Sequence, residues 1–395
     1  MVMVLVSSLA QQAQGVAIGW DVYERTGSAL ALGWIGLVQF VPVLVFFLPA
    51  GQWADRYDRR KVAAVSLVLW CGAALLLAVS SKLHAVPGSL FGSVGWIYLS
   101  VAITGLSTVL NRAARDALLP QLVPGAMFAR AVTWNSTIFQ TASVAGPGLA
   151  GALIAFGGSA FTVYAADACC IVLATAAALS ITPRAPSAVK RVASWRDVFG
   201  GLHHVWRTKV VFATMTVDLF AVLLGGATAL LPVFAKDVLH VGPIGLGWLS
   251  AAPAIGAVLT ALATGHRRAP AHAGITFLWA VGAFGLANVV FGLSHNYWLS
   301  LVALIVVGAS DNVGAVIRQT VVQLHTPDEL RGRVSAVNRV FISSSNELGA
   351  LRAGLQASLT GPVGAVVIGG GITMAIAAAG IKLFPALRGL KTVHG

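Results

Sequence analysis

The chain has 395 residues, of which 57% are hydrophobic and 10% charged, against roughly 25% charged in a typical soluble domain. That balance excludes a soluble fold of this size, which would need far more polar surface, and it fits a lipid environment. The net charge of +13 would suggest nucleic acid in a soluble protein. Here the basic residues sit in short loops between apolar runs, which excludes that partner.

Apolar stretches of about 20 residues, the length needed to cross a bilayer, recur along the chain. They are long and do not alternate, so helices rather than barrel strands are expected to satisfy the backbone. In chain order the predicted spans are 1–24, 29–50, 60–80, 94–114, 128–156, 159–181, 210–235, 244–265, 274–293, 297–320, 334–359 and 361–384. The first runs apolar from Met1, carries Gln11, Gln12 and Gln14, and has no basic start. It reads as a membrane helix rather than a cleavable signal. Cys71, Cys169 and Cys170 all lie inside apolar segments and form neither a disulfide framework nor a metal spacing.

The basic residues orient the spans. With the first loop placed outside and the rest alternating, the outer loops hold only Arg25, Lys82 and Lys236 of the 26 Lys and Arg residues. Arg352 lies within a helix, and all the others fall on the inner side. Basic loops stay in the cytoplasm, so both termini are expected there, in the inner membrane. The longest inner loop, 182–209, opens with Pro183 and Pro186 and separates a bundle at 1–181 from one at 210–395. Its later part, Trp195 to Trp206, has the pattern of an amphipathic helix on the membrane surface. His203 and His204 fall there as a wet surface pair without a third metal ligand.

The two bundles repeat one another. Arg115, Pro124, Arg130 and Asn135 mark the junction of the fourth and fifth spans. Arg318, Pro327, Arg333 and Asn338 mark that of the tenth and eleventh, each 203 residues further on. Leu32-Gly33-Trp34 recurs as Leu246-Gly247-Trp248, and a glycine follows each tryptophan at the same interval, Gly51 and Gly265. Duplication of a six-helix unit is the reading, and two such halves can rock between inward-open and outward-open states.

The loop between the second and third spans reads Gly51-Gln52-Trp53-Ala54-Asp55-Arg56-Tyr57-Asp58-Arg59-Arg60-Lys61. Gly51 is expected to let two helices approach closely. Asp55 is placed to accept charge-assisted hydrogen bonds from an arginine or a helix N-terminus, latching the cytoplasmic side shut. Arg115, at the same depth, is a plausible partner. Arg56, Arg59, Arg60 and Arg318 complete the candidate gate, although a basic cluster at this place also sets topology. The loop resembles the signature of the major facilitator superfamily, G-x-L-A-D-R-x-G-R-K/R, with Trp53 in place of leucine and Asp58 in place of the later glycine. The second half keeps only Gly265-His266-Arg267-Arg268 and lacks the aspartate.

Gly146-Pro147-Gly148-Leu149-Ala150-Gly151 in the fifth span is similar to the Gly-Pro motif of that superfamily's antiporters. Glycines at this spacing permit tight packing and proline bends the helix. Val16 to Gly27, Ala117 to Pro124 and Thr326 to Asn338 are similar to the enterobactin-exporter-like subgroup. The resemblance implies a twelve-helix all-α membrane fold and proton-driven export of siderophores, drugs or other amphiphilic molecules. It implies no cofactor, no nucleic acid and a monomer in the bilayer.

Ionisable groups at bilayer depth are costly, so each is a functional candidate. Asp21, Asp167, Asp218, Asp311 and Glu347 are the acids there, and Arg352 is the base. A carboxyl group in a partly dry cavity is what a proton carrier needs. Glu347 and Asp218 are the preferred pair, while the resemblance, which places the first, fourth, seventh and tenth helices around the cavity, supports Asp21, Asp218 and Asp311. The alternative is structural pairing: Asp311 with Arg318 in one ion network, and Arg352 with Glu347 or Asp21. Gln14, Gln39, Asn135, Gln140, Asn312, Asn346 and Arg352 are candidates for contacts with a small-molecule substrate, and the amides equally for helix-to-helix bonds. No H-E-x-x-H, G-x-S-x-G or P-loop pattern is present, so an enzyme is not expected.

Overall fold

A computed structural model describes residues 2–84, 86, 89–124, 127–179, 195–265 and 272–390. The first part of the expected linker, 182–194, and the basic residues Arg267 and Arg268 lie outside the described residues, as does the side chain of Asp55. The described residues form helices joined by short turns and loops, with no strand among them.

In order the elements are α1 (Val2–Thr26), α2 (Ala29–Arg56), α3 (Arg59–Leu83), α4 (Val94–Leu122), α5 (Phe128–Gly157), α6 (Phe161–Leu179), α7 (Trp195–Arg207) and α8 (Lys209–Gly225). They continue as the single turn α9 (Leu231–Val233), then α10 (Gly242–Thr264), α11 (Ala273–Leu293), α12 (Tyr297–Leu324), α13 (Arg331–Leu383) and α14 (Pro385–Arg388). Ten helical stretches among the described residues are long and apolar enough to cross a membrane. One of them, α13, is two helices meeting at Gly361, whose φ of 75° and ψ of 165° break the helical path just before Pro362. Counted as two, and with the 25-residue α1, it brings the spans to twelve.

Local chemistry sets several boundaries. Asp58, which stands where the superfamily loop has glycine, accepts the backbone N–H of Arg60 at 2.9 Å and caps α3. Asn296 does the same for α12, taking the N–H groups of Trp298 and Leu299. Gly27 (φ 59°) and Gly158 (φ 72°) end α1 and α5 in the left-handed region.

The chain divides into two compact units. The first comprises Met1–Gly27, Leu37–Ala193 and Gly242–Ala251. Within it α3 packs on α6 through Leu67, Trp70, Ala74, Ile171 and Ala174, and on α4 through Val62, Ala63, Leu110 and Ala114. The second comprises Ser28–Gly36, Ser194–Val241 and Ala252–Gly395. Its core joins α8, α11, α12 and α13 through Met215, Phe277, Val321 and Val334. Large apolar side chains also point outward, among them Val68, Leu75, Leu173 and Leu359. Lipid rather than water makes that arrangement favourable.

The linker helix α7 forms where the amphipathic pattern predicts it. Val205 is buried, Gly201 lies against the backbone of Arg333, and His204 Nε2 sits 3.1 Å from the carbonyl oxygen of His325. The two histidines are therefore not a matched surface pair: His203 is exposed, and His204 is half-buried and bonded.

Candidate functional site

In the first unit one ion pair ties together α1, α3 and α6. Arg25 grips Asp21 through two hydrogen bonds of 2.7 Å. The hydroxyl of Tyr164 donates to Asp21 at 3.2 Å, and Arg25 also donates to Ser80 Oγ and to the Gly92 carbonyl. The side chains are 2% and 7% exposed, so this is a buried pair. Asp21, a candidate acid at membrane depth, is thus paired with Arg25 one helical turn away.

Deeper in the same unit, the Trp70 indole N–H donates to Gln14 Oε1 at 3.2 Å. Asp167, 2% exposed, takes no hydrogen bond on either oxygen from a described residue, and Gln14 Nε2 is likewise unpartnered. Gln12 Nε2 donates to Ser143 Oγ at 2.6 Å, joining α1 to α5.

At the candidate gate, Arg115 donates to Asn135 Oδ1 at 3.1 Å. Arg115 and Asn135, both predicted from the repeat, thus come together, and the described partner of Arg115 is an amide rather than an acid. Arg56 is exposed, and Arg59 and Arg60 are half-buried. Gly51 departs from expectation: no heavy atom lies within 4 Å of a Cβ placed there, so the backbone in this structure is open on that side. The close crossings fall elsewhere. A Cβ on Gly146 would meet Gln12 Cβ at 2.6 Å, and Gly151 faces Gly247, whose Cβ would meet the Pro147 carbonyl oxygen at 2.6 Å. Gln39 and Gln140 are half-buried. An apolar groove of about 720 Å³ is lined by Leu5, Met127, Arg130, Ala131, Trp134 and Ile138.

In the second unit, Asp218 on α8 and Arg318 on α12 form a buried ion pair, 9% and 8% exposed. The alternative of an Asp311–Arg318 network is not what forms: Arg318 turns to the neighbouring helix, and Asp311 is exposed. Glu347 is half-buried on α13 and makes no ion pair among the described residues. It packs where Gly36 leaves room, since a Cβ there would stand 3.2 Å from Glu347 Oε2. Arg352 does not reach Glu347 or Asp21. Its Nη1 donates to Gln356 Oε1 one turn along, and its guanidinium lies against Gly369. Asn312 Nδ2 is buried without a partner among the described residues, and Asn346 is exposed.

Residues that motif reading passed over include Trp70 and Tyr164, which look like ordinary core aromatics in sequence. Each carries a polar atom that its burial obliges to find a partner.

Residues 1–350 match the Major Facilitator Superfamily. The chain belongs to that superfamily: it is a multi-pass membrane transporter, not an enzyme, with twelve spanning helices in two six-helix bundles. It is similar to the multidrug efflux pump Tap of Mycolicibacterium fortuitum, 30% identical over 358 residues, covering 88% of this chain and 85% of Tap. It is also similar to the enterobactin exporter EntS of Citrobacter koseri, 25% identical over 362 residues, covering 91% of this chain and 85% of that one. Among solved structures, a bacterial homolog of the human lysosomal transporter Spinster, in an inward-facing and occupied conformation, matches with a TM-score of 0.73. At 13% identity over 99% of this chain and 95% of that one, the match bears on fold alone.

Proposed function

We propose that this protein is a secondary active exporter that moves amphiphilic small molecules of drug or siderophore type out of the cytoplasm by alternating access, in exchange for protons. The direction rests on the relatives Tap and EntS, an efflux pump and an exporter that align along most of the chain. The Gly146-Pro147 motif of α5 agrees with it.

The observation that carries the coupling is Glu347, a half-buried acid at membrane depth without an ion-pair partner among the described residues. An acid already held by an arginine has little reason to exchange a proton during each cycle, which sets Asp21 and Asp218 behind Glu347. Asp311 remains an exposed candidate on α12. Gln14, Gln39, Asn135, Gln140, Asn312, Asn346 and Arg352 are assigned to substrate contacts or to helix pairing around the path. Asp55, with Arg56, Arg59, Arg60, Arg115 and Arg318, is assigned to the cytoplasmic gate. In this reading both termini face the cytoplasm, residues 1–181 and 210–395 are the two rocking bundles, and the monomer is the working unit.

The test is flux in proteoliposomes across a panel of siderophores and cationic dyes, with and without an imposed pH gradient. Gradient-dependent export is the expected result. Flux that ignores the gradient would replace this reading with a facilitator or an importer, and binding without flux would replace it with a ligand sensor.

A further inference from the structure

Among the described residues, three acids in the membrane-spanning helices are buried: Asp21, Asp167 and Asp218. Two of them have an arginine, Arg25 and Arg318. Asp167 has none. It lies in the first half of α6, 2% exposed, with neither oxygen hydrogen-bonded by a described residue.

The elements packed against it offer no spare counter-charge. On α1 the ionisable groups are Asp21, Tyr23, Glu24 and Arg25 near its C-terminal end, with Arg25 committed to Asp21, and on α5 the group is Arg130 in the first turn. On α3 they are Arg59, Arg60 and Lys61 in the first turn, Lys82 in the last, and the thiol of Cys71 beside Asp167. On α6 itself the neighbours are Tyr164, bonded to Asp21, and the thiols of Cys169 and Cys170. A bare carboxylate walled in by such groups would bear the full desolvation penalty, so a proton is the one neutralising partner this site can take.

A neutral donor lies within reach of Asp167: the Trp70 indole, which gives its N–H to Gln14 Oε1 at 3.2 Å. Gln14, 2% exposed, keeps Nε2 without a partner among the described residues. One tryptophan N–H thus has two acceptors to choose between, and Gln14 holds a further unused donor in the same compact unit.

We propose that Gln14, Trp70 and Asp167 form a second proton-binding site, inside the N-terminal bundle, in which Asp167 takes up and releases the proton. Trp70 and Gln14 supply the hydrogen bonds that its ionised form needs. In the step, a proton from water adds to a carboxylate oxygen to give the acid. On release, the O–H bond breaks, the electron pair stays on Asp167, and the donors turn to it. The assignment to transport rests on the proton-coupled reading above, whereas proton binding itself does not.

The experiment is difference infrared spectroscopy of the purified protein in lipid through a pH step, with gradient-driven flux measured in parallel. Wild type should show a titrating carboxylic-acid band that Asp167→Asn lacks and Glu347→Gln retains. Gln14→Leu and Trp70→Phe, which keep the acid, should each change its proton affinity by about tenfold, the worth of one hydrogen bond to a charged group. A spectrum of Asp167→Asn identical to wild type would overturn the site. So would an unmoved titration in both donor variants, and this holds even if Asp167→Asn fails to fold. Wild-type flux indifferent to the gradient would instead remove the coupling and leave the infrared test standing.

Discussion

Gly151 on α5 and Gly247 on α10 meet backbone to backbone: a Cβ on Gly247 would stand 3.2 Å from the Gly151 Cα. The second unit contains the same crossing. A Cβ on Gly33 would stand 3.2 Å from the Cα of Gly354 on α13. Gly33 and Gly247 are the central residues of the repeated Leu-Gly-Trp triplets. Gly354 follows Gly151 by the same 203 residues that separate Arg115 from Arg318. The duplication thus preserves a helix crossing as well as loop residues.

Those crossings make a paired prediction. Gly33→Ala and Gly247→Ala each force a methyl group into backbone, and overpacking of this kind costs about 1–3 kcal/mol. Both should lower the thermal unfolding temperature in detergent. Gly148→Ala, where no heavy atom lies within 4 Å of the added carbon, should not. Equal effects at the three positions would remove the packing argument.

The ion pair between Asp218 and Arg318 predicts a coupled pattern. Asp218→Asn or Arg318→Gln alone leaves a buried charge without its partner, at about 3–5 kcal/mol. The double variant should recover much of that loss, because no lone charge remains. Additive losses in unfolding experiments would mean that the two side chains act independently, and Asp218 would return to the coupling candidates.

The gate assignment is tested at Asp55. Asp55→Asn keeps size and polarity but removes the charge that the latch needs, so transport should slow by about tenfold or more while substrate affinity changes little. Unchanged flux would reduce this loop to a topology signal. Arg115 serves as the comparison: its described bond goes to Asn135. Arg115→Lys, which retains charge but not the planar fork, should weaken that contact.

The helices were legible because lipid demands long apolar runs, and the break at Gly361 was legible as the boundary between the last two predicted spans. Arg115 meeting Asn135 was marked by their shared repeat, though not as a contact. Partner choice was less legible. Arg318 lies two turns from Asp311 along its own helix, yet it pairs with Asp218 on another. Sequence spacing gives neighbours along a helix and says nothing about the facing one. Arg352 was weighed as a partner of Asp21, whereas Arg25, four residues further along the same helix, holds it. Gly51 kept its motif position without the expected contact, since a motif fixes residue type and not the distance to a neighbour.

Glu347 carries the sharpest prediction for transport. Glu347→Gln preserves shape and hydrogen bonding while removing the exchangeable proton, so export driven by a pH gradient should fall by tenfold or more. Substrate exchange at equilibrium, which moves no net proton, should persist. Gly36→Ala gives an independent route to the same group, because its added carbon would stand 2.7 Å from the Glu347 carbonyl oxygen and 3.2 Å from Oε2. It should displace Glu347 and weaken gradient-driven export without removing the acid. If Glu347→Gln instead exports normally under a gradient, the coupling passes to Asp167 or Asp311. If it loses exchange as well, Glu347 belongs to substrate binding or to the packing of α13 against α2.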